Sequence, residues 1–153
     1  MAKIAAGILA YRKTKGLLEI LLAHPGGPLW GKKNLGNWSI PKGEAKGVEN
    51  LLETAKREFE EETGFPPEGT FSSLGWIAQK SGKIVHCWAM ENDLNADNFR
   101  SNTFKLEWPP RSGKIQEFPE IDGLEFFNTQ TARAKIHPAQ IPFIDRLEEI
   151  LSL

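Results

Sequence analysis

The chain has 153 residues, 40% of them hydrophobic and 25% charged, which is enough apolar content for a core and too much for a disordered chain. Nineteen lysines and arginines against twenty acids leave a formal charge of −1, which excludes a strongly basic nucleic-acid binder. A lone cysteine, Cys87, excludes an intramolecular disulfide framework and fits a reducing, cytoplasmic compartment.

The length suits one domain over residues 1–153. The N-terminus carries one charge before a short apolar run and then Arg12-Lys13, so it reads as a strand rather than a signal peptide. No apolar stretch is long enough to span a bilayer, and no membrane partner is expected. Residues 4–11 and 17–24 form a hairpin around Arg12-Lys-Thr-Lys-Gly16. The Gly- and Pro-rich stretch from His24 to Gly36 is a long loop, and Trp38-Ser-Ile-Pro-Lys-Gly43 a brief extended segment. A helix is expected over 51–63, with strands near 71–79, 84–91, 103–108 and 124–127. A short helix follows at 129–136, and a last one at 141–151 has Ile141, Ile144, Leu147 and Leu151 at helical spacing. This pattern predicts a mixed α+β or α/β sandwich.

The chemistry concentrates between Glu44 and Glu62, where seven acids face three bases, a local charge of −4 in a chain whose remainder is slightly positive. Asn50 and Glu53 resemble a capping box that starts the helix at Leu51, and Gly64 with Pro66-Pro67 ends it. On a wheel at about 100° per residue, Val48, Leu51, Leu52, Ala55 and Phe59 form the apolar arc. Lys56, Glu60, Glu53, Arg57 and Asn50 lie on the solvated side, and Glu58 and Glu61 at the border. Glu62 falls inside the arc. A carboxylate turned toward a core costs several kcal/mol unless it is paired, bonded or neutralised. Glu58 also stacks like charge on Glu61 and Glu62, at i,i+3 and i,i+4. A solvated acidic face accounts for Glu53 and Glu60 but not for Glu62. The trio calls for a compensating charge, and hard divalent cations, Mg²⁺ or Mn²⁺, take carboxylate oxygens.

The run Gly43, five residues, Glu49, seven residues, then Arg57-Glu58-Phe59-Glu60-Glu61-Glu62-Thr63-Gly64-Phe65 resembles the Nudix box at all nine of its specified positions. Chance agreement is on the order of 10⁻⁹ to 10⁻¹⁰ per window. Trp38-Ser-Ile-Pro-Lys-Gly-Glu44 is most similar to the diadenosine tetraphosphate hydrolase-like branch of Nudix hydrolases. Glu117-Phe-Pro-Glu-Ile-Asp-Gly-Leu-Glu-Phe-Phe127 is similar to the late acidic loop and strand of that fold. The resemblance implies an α/β/α sandwich with a mixed sheet and the box as a loop–helix–loop. It also implies hydrolysis of a phosphoanhydride in a nucleoside diphosphate linked to another group. Dinucleoside polyphosphates come first, with (d)NTPs or a non-catalytic nucleotide-sensing domain as alternatives. Carried over, Glu58, Glu61 and Glu62 ligate the metal, with Glu61 or Glu58 as the base, and Arg57 holds the first of these glutamates in place. The Lys42 carbonyl and Glu120 are further ligands by position. Glycines 43 and 64 are expected to turn the backbone on either side of the helix.

Other signals carry less. Gly26 to Lys33 nearly matches a phosphate-binding P-loop, but Lys33 stands where Ser or Thr would ligate Mg²⁺ and no helix follows; Lys32 and Lys33 remain possible phosphate contacts. His24, His86 and His137 lack zinc-type spacing. His86, Cys87, Trp76 and Trp88 are expected in the core, whereas Trp30, Trp38 and Trp108 lie near loops, where a tryptophan can stack on a base, although burial is the commoner fate. Lys42, and Trp108 with Arg111, are candidate substrate contacts, since an arginine can fork onto phosphate. The expected partner is a small nucleotide, with no stable nucleic-acid complex.

Overall fold

The structure, a computed structural model, describes residues 3–30, 33–47 and 49–152. Val48 on the predicted apolar arc and Lys32 in the loop lie outside them. Strands β1 (Ile4–Thr14) and β2 (Leu17–Pro25) form the first hairpin, with β3 at Lys42–Glu44. Helix α1 spans Leu51–Thr63, and β4 (Phe71–Ala78) and β5 (Ile84–Glu91) follow. A second hairpin, β6 (Thr103–Glu107) and β7 (Ile115–Pro119), leads into β8 (Ile121–Asn128), α2 (Thr129–Lys135) and α3 (Ile141–Ile150). Among the described residues, no helix is long and apolar enough to cross a membrane.

The main sheet runs β4-β5-β1-β2-β8, with β1 and β5 parallel and the other neighbours antiparallel. Alternation along β1 sends Ala6, Ile8 and Ala10 to one face, under Ala55 and Phe59 of α1. It sends Ala5 and Leu9 to the other, under Ala132 of α2 and Phe143, Ile144 and Leu147 of α3. The result is the expected α/β/α sandwich with a mixed sheet. The first turn is tighter than expected: β1 continues to Thr14, and Lys15 and Gly16 alone make the turn, both at positive φ (53° and 78°).

A fork in the sheet positions the site. Toward its C-terminal end β1 pairs with β2, Tyr11 opposite Ile20, but its first residues, Ala5 to Gly7, pair with β3 instead. The segment before β3 bonds back to β2 through Ser39 and Ala23. Residues 38–44 therefore wedge between two diverging strands. Gly7 makes the closure possible, since a Cβ there would meet the Pro41 carbonyl oxygen at 2.6 Å.

Trp76 departs from the expected core placement and is 55% exposed. The register of β4 against β5 shifts between Ser73 and Trp76, with Gly75 at φ 74°. The extra residue puts Leu74 and Ile77 both inward and turns Trp76 out. On this outer strand Arg146 of α3 donates through Nη1 to the carbonyls of Leu74 and Trp76, at 2.9 and 3.0 Å. Cys87 is buried, and burial pushes its thiol pKa up. His86 and Trp88 are only half-buried, stacked at 6.4 Å.

Candidate active site

Helix α1 begins where the capping residue predicts: Asn50 Oδ1 accepts from the backbone N–H groups of Leu52 and Glu53, at 2.9 and 3.3 Å. Glu53 does not complete the box reciprocally but pairs with Lys56 at 3.6 Å. Gly64 ends the helix at φ 79°, a left-handed cap that other residues adopt at a cost. The expectation for Gly43 is corrected. It lies within β3, and its missing side chain makes room, because a Cβ there would sit 1.8 Å from Glu58 Oε1.

Glu58 and Glu62, one turn apart on α1, meet Glu120 at the bend between β7 and β8, with a carboxylate oxygen of each within 4.8 Å of the others. Glu62, the residue that violated the helical pattern, is 8% exposed. Burial raises its pKa well above the ordinary carboxylate value, and the charges of Glu58 and Glu120 raise it further. The Lys42 ammonium and backbone N–H oppose the shift. Glu58 is raised chiefly by burial, which outweighs the arginine beside it, and Glu120 by burial and by the charges of Glu58 and Glu61. Lys42 is itself lowered by burial and by Lys83.

Glu120 is wired to the helix end through one residue. The Asn102 N–H donates to the Glu61 carbonyl at 2.9 Å, while the Asn102 carbonyl accepts from the Glu120 N–H at 2.8 Å. The Gly26 N–H in turn donates to the Glu120 carbonyl at 2.9 Å. Asn102 was not singled out in the sequence, and no local pattern marks it.

Arg57 organises the opposite side. Its Nε and Nη2 fork onto Glu49 at 3.1 and 2.9 Å, and its Nη1 donates to Glu58 at 2.6 Å and Glu61 at 3.3 Å. Those bonds, with Thr54 Oγ1 donating at 2.8 Å, hold Glu49 down at about 2. Glu61 stays outside the three-carboxylate group, its side chain 38% exposed on the arginine side.

A cavity of about 140 Å³ opens beside Glu62 and Glu120, lined also by Lys42, Ser39, Pro25 and Ile121. Trp108 and Arg111 are not brought to it. They sit on the β6–β7 turn, where the Trp108 N–H bonds Lys114 and the Arg111 N–H bonds Glu107, so the turn is folded on its own partners. Three all-oxygen donors that converge, two of them shielded from water, fit a hard divalent cation.

The family model of the NUDIX domain matches residues 1–147. The chain belongs to the NUDIX family. It is similar to the asymmetrical bis(5'-nucleosyl)-tetraphosphatase of Rattus norvegicus, 33% identical over 103 residues that cover 60% of this chain and 66% of the rat protein. The Mus musculus counterpart is 32% identical over 110 residues, covering 63% and 71%. In fold it is similar to a C. elegans Ap4A hydrolase binary complex, with a TM-score of 0.67, 22% identity, and 99% and 98% of the two chains covered. The NUDIX domain of Shewanella oneidensis NrtR complexed with ADP ribose also has a TM-score of 0.67, at 14% identity and 99% and 89% coverage. Membership bears out the resemblance read from the box, the α/β class, and the placing of the chain among hydrolases.

Proposed function

We propose that the chain is a divalent-cation-dependent pyrophosphohydrolase that cleaves a phosphoanhydride in a nucleoside diphosphate linked to another group, with dinucleoside polyphosphates as the first substrate class. The observation that carries the reading is the convergence of Glu58, Glu62 and Glu120 on one another, the last two also lining a cavity bordered by Lys42. The tetraphosphatase relatives support the substrate class. The buried cysteine is consistent with a cytoplasmic setting.

In this reading Glu58, Glu62 and Glu120 hold Mg²⁺ or Mn²⁺, with the Lys42 carbonyl as a further ligand. A bound ion would neutralise phosphate charge and make water at the site more acidic. Phosphoryl transfer depends mainly on positioning and charge stabilisation, and the chain's own residues provide both. Arg57 fixes Glu58 and Glu61 against the Glu49 anchor. The Lys42 ammonium pairs with a phosphate oxygen. Glu61, reachable from solvent and outside the buried group, takes the proton of the attacking water. The hydroxide adds to phosphorus, the bridging P–O bond breaks, and the leaving phosphate carries the electron pair away.

The test is a Mg²⁺-supplemented panel of diadenosine tetraphosphate, nucleoside triphosphates and ADP-ribose, with products resolved chromatographically. Turnover of diadenosine tetraphosphate to two unequal nucleotides is expected. Binding with no product from any member of the panel would turn the reading toward a nucleotide sensor.

A further inference from the structure

The small cavity beside Glu62 and Glu120 opens into a trough. Its second compartment, about 380 Å³, shares Pro25, Ser39 and Lys42 with the first and adds Trp30, Gln79 and His137. A third, about 590 Å³, shares Gln79, His137 and Pro138 with the second. We propose that this trough seats the nucleoside arm of the substrate, with Trp30 as the platform on which the base stacks. The proposal rests on the hydrolase reading and deepens it.

Size sets the direction. At about 140 Å³ the carboxylate cavity falls well below the roughly 300 Å³ at which small-molecule pockets begin. It has room for phosphate but not for a nucleoside, and space of the required size lies toward Trp30. Trp30 is 39% exposed, between Leu29 and, further along the same loop, Leu35, both also exposed. The Lys33 ammonium sits over its ring at 5.1 Å from the centroid, and the ring itself lines the second compartment.

The loop that carries Trp30 is held from behind. Asn34 Oδ1 accepts from Trp38 Nε1 at 2.8 Å and from Lys135 Nζ at 2.9 Å, and the Gly36 N–H donates to the Ala134 carbonyl at 3.1 Å. His24 bonds the Lys33 carbonyl through Nε2 and Asp122 through Nδ1. A platform braced in this way binds with little ordering cost.

The trough also offers polar groups for a base edge. His137 Nδ1 accepts from the Ala139 N–H at 3.2 Å, so Nε2 keeps its proton as a donor. Burial and the charge of Lys42 lower the His137 pKa, which favours this neutral form. Gln79 contributes a carboxamide to both outer compartments. Lys42, on the wall shared with the first cavity, matches the phosphate next to the nucleoside.

The experiment compares AMP, which carries a base and one phosphate, with inorganic tripolyphosphate, which carries no base. Both are titrated calorimetrically into wild type, Trp30→Ala and Trp30→Phe. Trp30→Ala is expected to weaken AMP binding at least tenfold and leave tripolyphosphate within threefold, with Trp30→Phe close to wild type. Equal AMP affinity in wild type and Trp30→Ala, or no AMP binding by wild type, would overturn the proposal. Turnover separates it from the hydrolase reading. An active wild type with an unaltered KM in Trp30→Ala sinks the trough alone, whereas Trp30-dependent AMP binding without turnover of any nucleotide sinks the hydrolase and leaves the trough standing.

Discussion

Gly43 and Glu58 occupy one another's space: the carboxylate of Glu58 lies where a β-carbon on residue 43 would be, 1.8 Å from its Oε1 and 2.1 Å from its Cδ. The glycine that opens the box and Glu58 in the middle of its helix are thus a single steric unit. A Gly43→Ala substitution must push Glu58 away from Glu62 and Glu120. The expected result is a circular-dichroism spectrum like that of wild type, at least about a hundredfold lower turnover, and no upward shift of Tm on adding Mn²⁺.

Glu62 gives a prediction of opposite sign for stability and function. Its pKa is raised by burial, so the folded chain favours the protonated form. That contribution is full below the unfolded value near 4.5 and is lost as pH rises through the raised folded value. The metal-free protein should therefore lose Tm on going from pH 5 to pH 8, and Glu62→Gln should flatten the slope. At pH 8 that variant is expected to gain about 0.5–2 kcal/mol without metal, while Mn²⁺ no longer stabilises it. Calorimetry of both proteins with and without the ion checks both halves, and a variant less stable than wild type at pH 8 would contradict the burial argument.

Glu61 lies outside the three-carboxylate group, so its two expected roles separate. Glu61→Gln should lower kcat by about two to four orders of magnitude, the range of general acid–base contributions, and leave Mn²⁺ affinity within a few-fold of wild type. A parallel collapse of Mn²⁺ binding would move Glu61 into the ligand set. Near-wild-type turnover would remove it from the chemistry.

The ion pair of Arg57 with Glu49 predicts a contribution to stability that is lost in acid. The pKa of Glu49 is depressed to about 2 by its arginine and Thr54. Its contribution is therefore present above about pH 4.5 and lost as pH falls toward 2. Arg57→Lys keeps the charge but cannot fork onto Glu49. Its acid-unfolding midpoint is expected to rise toward pH 4, and its kcat to fall with KM little changed, since Glu58 and Glu61 lose their brace. An unshifted midpoint would show that the fork adds nothing to the fold.

The parts of the molecule legible in the sequence are those set by neighbours along the chain. Asn50 and Gly64 bracket α1 through bonds to its own end residues, and the inward place of Glu62 follows from the helical repeat. Glu120 could be named only from resemblance. It reaches the site through Asn102 and Gly26, a backbone relay between distant segments that no periodicity records. Strand β7 was hidden because only Phe118 among its residues is even half-buried, so alternation is absent. Trp76 was misplaced because one extra residue at Gly75 inverts the facing of everything after it. The trough was legible only in part: Trp30 stands out as a loop tryptophan able to stack on a base, but Gln79 and His137 come from two other connections, each ordinary on its own.

Arg146 bears on how the protein behaves in concentrated solution. The outermost strand of a sheet offers its unpaired carbonyls to any passing chain, and here two of them, on Leu74 and Trp76, are already taken by a guanidinium from the last helix. With the bulge twisting that rim and a fixed cation over it, a second molecule finds no straight ladder to extend. Removing the arginine would leave the carboxylate group untouched and expose this border to edge-to-edge self-association.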